Sequence, residues 1–204
     1  MRRDRFPDVR GQALTARGFL LRAALLAPCI AGLAGCELAV LGAAGGVAYA
    51  IAEDRRSSSV QYDDESIQLR AQSRISERFG SNVHVTVSSF NRMALLTGEA
   101  PDEGTRAEIA KIVEGVPSVR AITNEIQIAP PTPRGSRIND EFISSKVKGQ
   151  LIGKANPVYI KVVTEAGVVY LMGLVTHAEA DAATEVARTT SGVSRVVTEF
   201  EYIS

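Results

Sequence analysis

Alternation of apolar and polar residues predicts two similar sets of β-strands after the first third of the chain. Segments 83–87 and 158–162 alternate as half-buried strands do, and a short turn follows each of them. The next strand ends in a glycine in both sets, at Gly98 and at Gly173. The two segments (83 and 158) and the two glycines (98 and 173) are both 75 positions apart. The pattern therefore predicts an internal repeat built around a β-hairpin.

An amphipathic helix is predicted before each hairpin, because apolar residues recur there at every fourth position. The residues of this apolar stripe are Ile67, Ala71 and Ile75 in the first copy and Ile143, Val147 and Leu151 in the second. A stripe of this width predicts that one side of each helix packs on the sheet and the other side faces solvent.

A second helix and a closing strand are predicted after each hairpin. Residues 101–103 (Pro-Asp-Glu) suit a helix N-terminus, and Thr176 and Glu179 have the spacing of a capping box. The helices are expected to end near Gly115 and Gly192, and the closing strands are predicted over residues 122–128 and 196–203. Each copy thus has the order helix–strand–strand–helix–strand. This order predicts an α+β fold in which the helices pack on one face of a three-stranded sheet.

The segments around the repeat divide the chain into five parts. Residues 62–130 and 138–204 are the two predicted domains, and the proline-rich segment 131–137 is a predicted linker. Residues 36–61 contain small apolar and then polar residues, which indicates a flexible tether. Residues 1–35 are interpreted as a signal peptide.

Arginines precede or enter an apolar stretch from residue 18 to residue 33, as in an export signal, and the stretch is too short to span a bilayer. It closes in the sequence Leu-Ala-Gly-Cys at 33–36, which resembles the lipobox of bacterial lipoproteins. We therefore expect Cys36 to carry a covalent diacylglycerol and an N-acyl lipid such as palmitate. An ordinary signal peptide would leave Cys36 as a free thiol in an oxidising compartment. Glu37, which stands where an aspartate retains lipoproteins in the inner membrane, favours the outer membrane.

Composition gives little support to catalysis or to nucleic-acid binding. His84 and His177 are the only histidines and lie at non-equivalent repeat positions, so we expect both to be structural or surface residues. No cysteine follows Cys36, which leaves no thiolate metal site in the repeat. Without residues 1–35, which hold six of the 23 basic and two of the 23 acidic residues, the chain is acidic. We predict no enzyme activity, no metal or other cofactor beyond the Cys36 lipid, no small-molecule substrate and no nucleic-acid partner.

Three stretches of the second copy resemble the BON domain family: 162–167 (Val-Val-Thr-Glu-Ala-Gly), 170–176 (Tyr-Leu-Met-Gly-Leu-Val-Thr) and 191–196 (Ser-Gly-Val-Ser-Arg-Val). Together with the element order and the lipobox, they make the chain similar to outer-membrane lipoproteins with two BON domains, from about Cys36 to the C-terminus. The resemblance implies two tandem BON domains on the periplasmic side of the outer membrane. It also implies enrichment at division sites and a role in outer-membrane integrity.

The two copies differ on the outer side of the first helix. Phe142 and Ile152 in the second copy stand where the first copy has Ser66 and Ser76. Apolar residues beside lysines are the chemistry of shallow insertion into an anionic lipid surface. The resemblance implies that this helix binds anionic phospholipid, chiefly phosphatidylglycerol, with Phe142 in place of a tryptophan and Ile152 in place of a leucine. The residues of the predicted site are Phe142, Ser145, Lys146, Lys148, Gly149 and Ile152.

Other interpretations of the same residues remain open at this point. Phe142 and Ile152 are equally suited to pack against the first domain or the linker. The same apolar face suits an adaptor that docks an envelope or division protein. A soluble periplasmic stress protein of the two-BON kind requires that Cys36 is not lipidated.

Overall fold

The first repeat folds into a helix, a hairpin, a second helix and a divided edge strand in the computed structural model. Its elements are α1 (Ser58–Phe79), a 3-10 turn (Gly80–Asn82), β1 (His84–Phe90), β2 (Met93–Ala100), α2 (Glu103–Glu114), β3 (Ala121–Asn124) and β4 (Gln127–Ile128). The structure describes residues 54–130 and 134–203, which belong to one compact unit, Glu53–Ser204. The predicted signal peptide, Cys36, most of the predicted tether and residues 131–133 of the predicted linker lie outside the described residues.

The second repeat has the same order of elements. They are α3 (Arg134–Leu151), β5 (Ile160–Glu165), β6 (Val168–Val175), α4 (His177–Thr189) and β7 (Arg195–Tyr202). In both repeats the hairpin is antiparallel and the closing strand lies parallel to the middle strand. Gly98 faces Val85 across the first hairpin, and Gly173 faces Ile160 across the second. The predicted α+β fold and its repeat are therefore confirmed.

Two-residue turns close the hairpins, at Asn91–Arg92 and at Ala166–Gly167. All four residues have positive φ, between 49° and 76°, as the tight turns that match the twist of antiparallel strands require. The carboxylate of Asp64 in α1 accepts hydrogen bonds from both backbone amides of the first turn. Asp140 in α3 does the same for the second turn. Each buried aspartate therefore ties the first helix of its domain to the hairpin.

Helix α1 begins earlier than the predicted domain boundary at residue 62. The side chain of Ser57 accepts a hydrogen bond from the amide of Val60, which starts the helix at Ser58, within the predicted tether 36–61. Helix α3 likewise begins at Arg134, within the predicted linker 131–137. A proline just before a helix start is well tolerated, so the proline-rich composition did not reveal this boundary.

Two further predicted boundaries differ from the structure. The strand predicted over 122–128 is divided into β3 and β4, because Ile126 turns inward and is fully buried, and its amide donates to Asn124 Oδ1. Helix α4 ends at Thr189, three residues before Gly192, and the hydroxyl of Thr190 donates to the carbonyl of Val186 there. The capping box of Thr176 and Glu179 is present as predicted.

Each domain has its own hydrophobic core between its helices and one face of its sheet. The predicted stripes lie at the centre of these cores, and none of their six residues is more than 1% exposed. The opposite faces of the two sheets pack on each other through a third cluster. Its buried residues are Phe90, Leu95, Tyr170 and Met172. The helices therefore lie on the two outer sides of the described unit, where the helix faces that point away from the cores meet solvent.

Candidate functional site

The outer face of α3 exposes large apolar side chains. Phe142 is 62% exposed and Ile152 is 71% exposed, so neither is buried against the first domain. Ile138, one turn before Phe142, is 68% exposed on the same face, and the sequence reasoning missed it. The i, i+4 spacing of Ile138 and Phe142 in the sequence would have predicted that both residues lie on the same face of the helix.

Small residues separate these apolar groups. Ser145 is exposed, and its hydroxyl donates back to the carbonyl of Glu141 within the helix. Gly149 is exposed, and a Cβ added there meets no heavy atom within 4 Å. The middle of this face therefore carries only small side chains, and the larger apolar side chains project on either side of it.

Lysines flank the face on opposite sides. The ammonium of Lys146 lies 4.9 Å from the ring centroid of Phe142 and donates to the carbonyl of Ser191. Lys148 is exposed and lines a groove of about 580 Å³ between α3, β1 and β5. Lys154 is exposed just after the helix.

The two halves of α3 carry different charges. The N-terminal half holds both acidic residues, Asp140 and Glu141, together with Arg134 and Arg137, whereas the C-terminal half holds Lys146 and Lys148 and no acidic residue. Asp140 is buried against the hairpin turn, but Glu141 is exposed, one turn from Ile138. Phe142 thus lies beside Lys146, whereas Ile138 follows Arg137 and lies one turn from Glu141.

The equivalent face of α1 is less polar than the sequence suggested. Ser66 is half-buried and Ser76 is exposed, but Tyr62 and Leu69 are 71% and 66% exposed. Tyr62 is the repeat equivalent of Ile138, and Leu69 is the equivalent of Ser145. Arg70 of α1 is the equivalent of Lys146, and Gln72 is the equivalent of Lys148. The two helices therefore both expose apolar groups, and they differ in the positions of these groups and in the charge at Lys148.

The segment before α1 is held on the second domain. The guanidinium of Arg55 donates to both carboxylate oxygens of Glu179, at 2.7 and 2.8 Å, and to the carbonyl of Leu174. It also lies 3.8 Å from the ring centroid of Tyr159. The hydrogen bond from Arg55, assisted by those from Thr176, lowers the pKa of Glu179 to about 2. The part of the predicted tether that enters α1 is thus fixed to α4.

The two histidines have different surroundings. His84 Nδ1 lies 3.0 Å from Glu99 Oε2 and 3.9 Å from Glu165 Oε1, in the groove between the domains. His177 is exposed and stacks on Tyr202, with ring centroids 4.1 Å apart. Nothing in the sequence indicated that His84, Glu99 and Glu165 lie together, because these residues are on three strands of two domains.

One cation is largely enclosed between the domains. Lys161 Nζ donates to Gln68 Oε1 at 2.6 Å and to the carbonyl of Ser89 at 3.1 Å. Burial lowers the pKa of Lys161 to about 8. This lysine therefore joins β5 of the second domain to α1 and β1 of the first.

No helix within residues 54–130 and 134–203 combines enough length and apolar character to cross a bilayer.

Comparison with known proteins gives consistent results along the chain. The family model described as BON domain matches residues 63–130 and 139–204. The outer membrane lipoprotein DolP of Haemophilus influenzae is 30% identical over 175 residues, which cover 84% of this chain and 90% of that protein. The 21 kDa hemolysin of Actinobacillus pleuropneumoniae is 31% identical over 154 residues, 74% of this chain and 79% of that protein.

Among solved structures, CdsD of Chlamydia trachomatis, a structural protein of the type III secretion system, matches at 12% identity. The match covers 68% of this chain and 91% of that chain, with a TM-score of 0.29. The family model and the two sequence relatives agree with the repeat and with the fold. The chain belongs to the BON domain family, as a protein with two BON domains similar to DolP.

Proposed function

We propose that this chain is a lipid-anchored protein of the outer membrane's periplasmic leaflet that binds anionic phospholipid through α3 of its second BON domain. The observation that carries the proposal is the exposed apolar face of α3 with lysines on both of its sides. The names of the relatives support the location, since DolP of Haemophilus influenzae is an outer membrane lipoprotein.

The energetics favour weak and reversible membrane contact. Full burial of a phenylalanine or isoleucine side chain contributes roughly 1.5–3 kcal/mol, and shallow insertion gains part of that. Each lysine near an anionic surface contributes about 1 kcal/mol. These amounts are too small for stable attachment alone, but they suffice as the second of two signals beside a lipid on Cys36.

The charge distribution favours contact through the C-terminal half of α3. Lys146 lies beside the Phe142 ring, and Lys148 and Lys154 stand on either side of Ile152 in the sequence, so anionic phosphates are attracted to this end of the helix. In the N-terminal half, Asp140 and Glu141 offset Arg134 and Arg137, so anionic phosphates are attracted less strongly there. The proposed site therefore comprises Phe142, Ser145, Lys146, Lys148, Gly149 and Ile152, with Ile138 at its edge.

A vesicle sedimentation assay tests the proposal with the fragment 53–204, which contains both hydrophobic cores. We expect sedimentation with vesicles that contain phosphatidylglycerol and little with neutral vesicles. Phe142→Glu is expected to weaken binding roughly tenfold or more, because it removes buried apolar area and adds a repelled charge. The matched control is Ser66→Glu, which makes the same charge change at the equivalent position of α1 and leaves binding nearly unchanged.

A finer test uses the two ends of the face. Ile152→Glu is expected to weaken binding more than Ile138→Glu, because Ile152 lies at the end of α3 that carries the lysines. Equal sedimentation with both kinds of vesicle, or full binding by Phe142→Glu, contradicts the lipid site. Mass spectrometry of the mature N-terminus tests the anchor, for which a lipid-modified Cys36 is the expected result.

An adaptor that docks an envelope or division protein is the second candidate, because the same exposed apolar residues suit a protein interface. Photocrosslinking in cells from position 142 separates the two. A discrete protein adduct favours docking, and loss of crosslinks to lipid on depletion of phosphatidylglycerol favours the membrane. Enrichment at division sites and support of envelope integrity are tested by fluorescence microscopy and by sensitivity of a deletion strain to detergents.

A further inference from the structure

His84 and Glu99 are held side by side by the first hairpin. They are paired directly across β1 and β2. The adjacent Gly98 has φ 111°, and a Cβ there would lie 2.0 Å from the carbonyl oxygen of His84. The two backbones therefore approach as closely as glycine alone permits, which fixes where both side chains start.

The second domain adds a third polar group to this pair. Glu165, at the end of β5, places Oε1 3.9 Å from His84 Nδ1. One side-chain N or O atom from each of His84, Glu99 and Glu165 lies within 4.8 Å of the other two. The three side chains are only 17%, 6% and 12% exposed, respectively.

An imidazole and two carboxylates are ligands that zinc accepts, with bonds of about 2.0–2.2 Å. Tetrahedral bonds of that length separate neighbouring ligand atoms by roughly 3.3 Å. The separations of His84 Nδ1 from the two carboxylate oxygens, 3.0 and 3.9 Å, lie on either side of that value. The adjoining groove of about 580 Å³ gives a fourth ligand access from solvent.

We propose that His84, Glu99 and Glu165 form a binding site for a divalent transition-metal ion of the zinc class that links the two BON domains. This proposal goes beyond the proposed lipid binding and revises the expectation, drawn from sequence, that the chain binds no metal. It does not depend on the membrane contact of α3.

Comparison of the repeats shows that the BON fold does not require these residues. Tyr159 and Leu174 occupy the positions in the second domain that His84 and Glu99 occupy in the first. The second hairpin keeps the same register and the same glycine without an imidazole or a carboxylate at those positions. The cluster is therefore a property of the first domain and of its contact with Glu165.

The test is zinc binding by the mature chain, purified in detergent and treated with a chelator, followed by calorimetry. We expect one zinc ion per chain at this site, with selectivity over magnesium. His84→Gln and Glu165→Gln are each expected to weaken binding roughly tenfold or more. His177→Gln is the matched control, since it removes the other histidine, and it is expected to bind zinc as the parent chain does.

Cobalt provides a readout that separates this site from cysteine. Binding at the proposed site gives visible ligand-field bands without sulfur-to-cobalt charge transfer, and these bands disappear in His84→Gln. Circular dichroism verifies that the variants are folded, and Glu165→Gln keeps the first hairpin intact. Absence of zinc binding by the parent chain, or unchanged binding in both variants, overturns the proposal. Either result leaves the vesicle assay unaffected.

Discussion

The first helices of the two domains, α1 and α3, share their buried faces and differ on their exposed faces. Each buries an apolar stripe, and each uses a buried aspartate, Asp64 or Asp140, to hold its hairpin turn. On the outer side, the half-buried Ser66 of α1 corresponds to the exposed Phe142 of α3. Core packing tolerates few changes, so the features that the copies share reflect their common fold. A function that belongs to only one copy has to lie in residues that differ between them.

The two sheets also differ on the faces that pack together. Leu95 of β2 and Tyr170 of β6 are equivalent positions, and both lie in the cluster between the domains. Asn91 and Thr123 of the first domain also donate hydrogen bonds to Glu201 and Glu199 of β7. The repeats thus contact each other through side chains that are not the same in the two copies.

The largest predicted effect comes from breaking this asymmetric interface. Leu95→Ala is expected to lower the free energy of unfolding by about 2–5 kcal/mol, because it leaves a cavity at a fully buried leucine. Urea unfolding followed by circular dichroism measures the loss. Leu69→Ala is the matched control, since Leu69 is 66% exposed on α1, and we expect a change within about 0.5 kcal/mol. Similar losses in the two variants would mean that Leu95 does not support the interface.

Sequence reasoning identified the features that depend on local signals. The helical stripes, the capping box of Thr176 and both hairpin turns follow from neighbouring residues, and the structure confirms them. The contact between the sheets was not predicted. Residues 168–172 of β6 are all apolar and show no alternation, so nothing in the strand distinguishes Tyr170, which faces the other domain, from Leu171 in its own core.

The two candidate sites also differ in whether a local pattern in the sequence predicts them. The sequence placed Phe142 and Ile152 on the outer side of α3 from helical periodicity alone, and both are exposed. It missed the cluster of His84 and Glu165, because 81 positions separate these residues (84 and 165) and only the packing of the domains joins them. Long-range pairing of this kind leaves no periodic pattern in the sequence.

The second prediction concerns Lys161, whose equivalent in the first domain is Thr86. Because the pKa of Lys161 is about 8 in the folded chain, below its ordinary value of 10.5, the unfolded chain binds more protons between these values. The free energy of unfolding therefore gains a component as pH rises from about 8 to 10.5, of at most about 3 kcal/mol. Lys161→Met is expected to lack this component.

Urea unfolding at several pH values from about 7 to 11 provides the measurement. The quantity of interest is the difference between the parent chain and Lys161→Met, because other lysines and tyrosines titrate in both. The exposed Lys154→Met is the control and is expected to keep the rise. A constant difference between parent and Lys161→Met across this range contradicts a buried charge at Lys161.

The smallest predicted effect concerns the N-termini of the second helices. In the first domain Asp102 caps α2 by accepting from the amide and hydroxyl of Thr105. In the second domain Glu179 completes a capping box with Thr176 and also binds Arg55. Glu179→Gln keeps an acceptor for the cap but removes the ion pair. We expect it to lower the free energy of unfolding at pH 7 by up to about 1 kcal/mol.

The pH dependence distinguishes the ion pair from the cap. Arg55 and the hydrogen bonds of Thr176 hold the pKa of Glu179 at about 2, below its ordinary value of 4.5. The contribution of the ionised carboxylate is therefore complete above about pH 4.5 and is lost as pH falls towards 2. The difference between the parent chain and Glu179→Gln should shrink across that range. Glu185→Gln, which removes an exposed ion pair with Arg188 on the same helix, should show little difference from the parent at pH 7. If the difference for Glu179→Gln stays constant from about pH 5 to pH 2, the segment before α1 is not held on the second domain by this pair.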